Sequence, residues 1–112
     1  MKEWNYKVWQ KRFFDQQRRI EIELDLIRKY KVKSNPSYKR FHDEELGKLL
    51  LFTHLETHES LVSKDKFIIY LEHLYETKPH ESNQAYDQDI VANSWKIETK
   101  RLIEHIGDIN EY

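Results

Sequence analysis

The chain has 112 residues, with 19 Lys and Arg, 20 Asp and Glu, six His, two Gly, two Pro and no Cys. That length predicts one domain around one core. The missing Cys excludes disulfides, thiolate metal sites, Fe–S clusters and Cys nucleophiles, and no apolar run approaches the roughly 18 residues a membrane-spanning helix needs. The formal charge of −1 hides a division: residues 1–40 carry 12 bases and 5 acids, whereas residues 41–112 carry 7 bases and 15 acids.

Leu, Ile, Val and Phe make 30 of the 112 residues, above the rough 20% floor for a folding chain. With so few chain breakers the elements are long, which favours helices. The expected fold is an all-α, four-helix bundle-like single domain with a long N-terminal helix. That first helix is predicted over 3–30: Tyr6, Trp9, Phe13, Ile20, Leu24 and Ile27 recur at helical spacing, and Gln16 and Gln17 interrupt the stripe. At about 1.5 Å per residue it would reach roughly 40 Å, more than a compact domain of this size needs. Its first turns are therefore expected to project or to pack on a second copy.

Residues 31–41 read as a basic linker around Asn35-Pro36, since Pro disfavours helix at the residue before it. A second helix is predicted over 43–59. Asp43, Glu44 and Glu45 suit a helix N-terminus, and Leu46, Leu49, Leu50, Leu51, Phe52 and Leu55 mark a helix buried on most sides. Ser63 is a good N-cap for a third helix over 63–77, with Lys78-Pro79 as its stop. A fourth runs over 84–106, carries Ile90, Val91, Trp95, Leu102 and Ile106, and takes Gly107 as its C-cap.

Three groups of residues are candidates for function. The first is basic: Lys11, Arg12, Arg18 and Arg19 on the first helix, then Arg28, Lys29, Lys31, Lys33, Lys39 and Arg40, with Tyr30 and Tyr38 interleaved. Such a set can neutralise phosphates while a ring stacks on a base, or it can simply solvate a loop. The second is a surface for a protein partner: the aromatic residues Trp4 and Phe14, and the acids Asp43, Glu44, Glu45, Glu56 and Glu59 of the second helix. The third is His54 and His58, four apart, which would share a helix face and could share a metal. His54-Leu55-Glu56-Thr57-His58 lacks the Glu that a zinc-protease helix places directly after its first His. Arg101 and His105, also four apart, resemble the Arg/His pair of some helical ribonucleases at a shorter spacing than that family uses.

No phosphate-cradling glycine loop or nucleophile elbow is present, so the chain reads as a binding protein rather than an enzyme, with no cofactor. The expected function is that of a small cytoplasmic inhibitor, immunity or adaptor protein acting on a protein partner through charged helix faces. The alternatives are nucleic-acid binding through residues 28–40, and His-based metal binding. A homo-dimer is compatible with the N-terminal aromatic cluster, and Met1-Lys2-Glu3-Trp4 gives no sign of a secretory leader.

Overall fold

A computed structural model describes residues 4–31, 37–76 and 88–108 of the chain. Helix α1 spans Tyr6–Leu26 and continues into a π turn over Ile27–Lys31. Helix α2 spans Ser37–Glu56, a 3-10 turn covers Glu59–Val62, α3 spans Lys64–Tyr75 and α4 spans Gln88–Asp108. Among the described residues there is no strand. The four helices pack into one bundle measuring 51 × 25 × 22 Å. α1 and α4 lie against two sides of α2, and α3 packs on α4 and on the 3-10 turn.

α1 begins where Asn5 caps it: the side chain accepts a hydrogen bond from the Lys7 amide at 3.1 Å, which satisfies one of the donors a helix start leaves open. Trp9, Phe13, Ile20, Leu24 and Ile27 are buried, so the apolar stripe faces the core as its spacing predicts except at Tyr6, which is exposed. Gln16 and Gln17 do not break the helix. Gln17 is itself buried, and its amide is satisfied in both directions. Nε2 donates to Glu56 Oε2 at 2.7 Å and to the Phe52 carbonyl at 3.4 Å, while Oε1 accepts from Thr53 Oγ1 at 3.3 Å. A buried amide is tolerated on those terms.

The first turns of α1 do not overhang. The Trp4 indole stacks on Trp9 with centroids 5.3 Å apart and donates to the Leu61 carbonyl at 2.7 Å. Phe13 then brings the helices together, with its ring 5.8 Å from Phe52 of α2 and 5.9 Å from Phe67 of α3.

The second helix starts at Ser37, six residues before the expected Asp43. Tyr38, Lys39 and Arg40 are therefore helical rather than part of a linker, and residues 32–36 lie outside the described ones. The carboxylates that suggested an N-terminus sit in the second and third turns. A Pro favours the first turn of a helix as much as it ends the preceding one, so Pro36 was the better boundary signal. The helix ends at Glu56 rather than Glu59, because His58 takes an extended backbone and caps the 3-10 turn, its side chain accepting from the Ser60 amide.

Ser63 caps α3 as expected, and Phe67, Leu71 and Leu74 are buried. Thr77, Lys78-Pro79 and residues 84–87 lie outside the described residues. α4 runs through Gly107 to Asp108, so Gly107 is not its cap. Trp95 of α4 donates its indole N–H to the Leu74 carbonyl at 3.1 Å, and Thr99 returns its hydroxyl to the Trp95 carbonyl at 2.7 Å.

α2 and α4 cross closely at Gly47. A Cβ there would lie 2.5 Å from the Val91 carbonyl oxygen and 2.9 Å from Ser94 Cβ. The Ser94 hydroxyl also donates to the Glu44 carbonyl across the crossing.

Candidate binding groove

Between α1 and α4, over α2, runs a groove of about 570 Å³. Its floor is the edge of the core: Trp9, Phe13, Phe52 and Leu102. α1 brings Arg12 and Arg19 to one wall. They are seven residues apart, so they sit two turns apart on one flank of the helix, beside the buried stripe. α2 brings Lys48, the residue after the tight crossing at Gly47. α4 brings Arg101 and His105, four apart and flanking the buried Leu102 and Ile106.

The charges in this groove do not cancel. Its carboxylates are Asp15 and Glu98, and each already has a cation: Lys11 reaches Asp15 at 3.4 Å, and Arg101 reaches Glu98 at 3.6 Å. Lys48 pairs with Glu45 at 3.2 Å. Arg12 is held with its guanidinium carbon 4.6 Å from the centroid of the Trp9 ring, a cation–π contact. Arg19 donates to the Gln16 side chain at 2.6 Å. Among the described residues neither Arg12 nor Arg19 has a carboxylate partner. The four cations lining the groove (Arg12, Arg19, Lys48, Arg101) and its two carboxylates leave a formal +2 with His105 neutral. Lys11 and Glu45, just outside, cancel each other.

A second cavity of about 540 Å³ adjoins the first and shares Lys48 and Arg101 with it. There Arg40 is paired with Glu44 at 3.2 Å and Asp89 adds a further negative charge. By the same count this cavity carries a formal +1, so the larger surplus belongs to the first groove.

The fold separates the basic residues singled out from the sequence. Arg12 and Arg19 enter the groove. Arg18 is exposed on α1 and does not line the groove. Lys11 is paired with Asp15, and Lys29 with Asp25 at 3.0 Å. Arg28 donates from Nε to His42 Nε2 at 2.8 Å. Lys39 is exposed on α2, Lys31 ends the π turn, and Lys33 lies outside the described residues.

The acidic surface expected on α2 is largely internal. Asp43 is only 1% exposed and Glu45 only 7%. Asp43 accepts from His42 Nδ1 at 2.9 Å. Glu44 is half-buried beside Arg40, and Glu56 is half-buried and receives the Gln17 amide. Glu59 is exposed. Trp4, expected at an interface, is half-buried in the aromatic stack, whereas Phe14 is 47% exposed.

The fold brings His54 and His58 within 5.6 Å, centroid to centroid, but as a clasp on Tyr70 rather than as a bare pair. The Tyr70 hydroxyl bonds to His54 Nε2, and the His58 ring lies flat on the Tyr70 ring, 3.5 Å away and 10° from parallel. His58 Nδ1 is engaged by Ser60. Burial, and then the neighbouring His58, hold the His54 pKa below its ordinary value, and burial raises that of Tyr70. His105 stands on the groove side, edge-on to Trp9. Among the described residues no three His, Cys, Asp or Glu are placed to hold a metal ion.

Lys48 is the groove cation that sequence reasoning passed over. Its signal was a lone cation in an otherwise apolar run, which marks the solvent edge of a buried helix. No protein-family model, curated protein or solved structure matches the chain.

Proposed function

We propose that the chain is a small helical binding protein of inhibitor or adaptor type, and that its groove receives an acidic segment of a protein partner. The observation that carries this reading is the convergence of Arg12, Arg19, Lys48 and Arg101, from three helices, on one groove with a formal surplus of +2. Guanidinium groups recognise carboxylates and phosphates in a fixed planar fork, and surplus charge in a concave site also speeds encounter with an anionic partner. The partner is thus acidic, in place of the basic partner that an acidic face on α2 would have called for.

A nucleic-acid strand fits less well. The rings under the groove (Trp9, Phe13, Phe52) are buried, so they offer no free face on which a base could stack. Asp15 and Glu98 stand among the cations and repel a continuous line of phosphates.

The test is differential capture from the native host, with nuclease-treated extract. Wild-type protein should retain a partner that the Arg12→Gln/Arg19→Gln/Arg101→Gln variant loses. A partner retained equally by both would reject the groove, and a partner lost on nuclease treatment would make nucleic acid the target.

A further inference from the structure

The +2 surplus is larger than one carboxylate can neutralise. Its cations line one groove from three helices: Arg12 and Arg19 from α1, Lys48 from α2 and Arg101 from α4. A phosphorylated side chain carries about −1.5 to −2 charge at neutral pH, with three strong acceptor oxygens. A carboxylate carries −1, with two. We propose that the group this groove recognises is a phosphorylated side chain of the partner protein. The inference rests on the groove being the site for an acidic partner, and it names the chemistry of that partner.

Three features fit a monoester dianion better than other anions. Arg12 and Arg19 have no carboxylate to displace among the described residues, so binding need not break an ion pair on α1. Arg12 is already held against Trp9, which reduces the rotamer freedom lost when it engages an oxygen. Asp15 and Glu98 also line the groove, each held by its own cation. Their negative charge disfavours the successive phosphates of a strand more than it disfavours a single dianion. The same carboxylates thereby discriminate between a phosphorylated side chain and a nucleic acid.

The test uses the full chain and four fluorescein-labelled nine-residue probes. Three are Gly/Ser peptides that carry phosphoserine, serine or glutamate at the centre. The fourth is a nine-nucleotide oligothymidylate. By anisotropy the phosphoserine peptide should bind at least tenfold more tightly than the serine peptide and more tightly than the glutamate peptide. Inorganic phosphate should displace it more effectively than chloride of equal ionic strength. In Arg12→Gln/Arg19→Gln the preference should fall to within twofold. Both residues are exposed, so this variant should keep its fold, with an unchanged melt as the control. Should it unfold, the wild-type comparison alone decides. Equal affinity for the phosphoserine and serine peptides overturns the proposal, as does a preference that survives the double substitution or tighter binding of the oligothymidylate. If capture from host extract depends on the groove but survives phosphatase treatment, the phosphate inference fails and the groove reading stands. If capture ignores the groove, both fail.

Discussion

The two ends of this bundle are closed by different chemistry. At one end Trp4, Trp9, Phe13 and Phe67 form a run of rings, with neighbouring centroids 5.3 to 6.0 Å apart from Trp4 through Trp9 and Phe13 to Phe67. At the other end a polar chain ties the π turn after α1 to the start of α2: Arg28 donates to His42, and His42 donates to the buried Asp43. The ring end works by area and shape, so its strength is graded and each ring contributes on its own. The polar end works by complete satisfaction. A buried carboxylate and imidazole are tolerated because each has its partner, and removing one strands the other.

That contrast can be broken most forcefully at Phe13, which touches rings from three elements. Phe13→Ala should lose about 3–5 kcal/mol of stability, read from the midpoint of urea unfolding. At the polar end, Asp43→Ala leaves the inward N–H of His42 without its acceptor and should lose about 1–3 kcal/mol. If the polar chain acts as a unit, adding His42→Ala to that variant costs less than the two single losses combined, as a double-mutant cycle would show.

A smaller effect comes from pH at the His54–Tyr70–His58 clasp. The folded state holds the His54 pKa below its ordinary value, so the unfolded chain takes up the proton more readily. Stability from this site should be fully present above pH about 6.5. It should fall as pH drops from there through the lowered folded-state pKa, and then level off. Urea midpoints between pH 5 and pH 8 should show this slope in the wild type and a shallower one in His54→Gln. The smallest effect is expected at the groove: Arg12→Gln and Arg19→Gln should each move stability by about 0.5 kcal/mol or less, because both side chains are exposed. A large loss there would make the groove cations part of the architecture rather than a surface kept for a ligand.

The helices were legible because apolar spacing survives in the sequence: Trp9, Phe13, Ile20, Leu24 and Ile27 all face inward as their period requires. The start of α2 was misread because Asp43, Glu44 and Glu45 carry the composition of a helix N-terminus while Asp43 serves a buried histidine. Local charge cannot reveal a partner that lies on another element, and Arg28 is 14 residues away from His42. The groove was hidden for a related reason. Arg12, Arg19, Lys48 and Arg101 belong to three helices, and nothing in their sequence neighbourhoods pairs them. Clustered cations, such as those of residues 28–40, attract attention in a sequence, but the fold ties Lys29 and Arg40 into local ion pairs. Gln17, which looked like a flaw in an apolar stripe, links α1 to α2 by hydrogen bonds, as Gln10 does at the Glu56 carbonyl.

Gly47 acts as a spacer for the whole site. The α2–α4 crossing has no room for a methyl group, and the two helices that meet there carry two of the groove cations: Lys48, next to Gly47, and Arg101, two turns of α4 beyond Ser94. The spacing of these two cations is therefore set by an atom that is missing, at a buried position. Gly47→Ala would wedge the helices apart and move Lys48 away from Arg101, so its cost should appear in phosphopeptide affinity as well as in the urea midpoint. The glycine couples the tolerance of the fold to the calibre of the site: a lineage that widened or narrowed this groove would have to do so elsewhere, on α1, whose wall is free of that crossing.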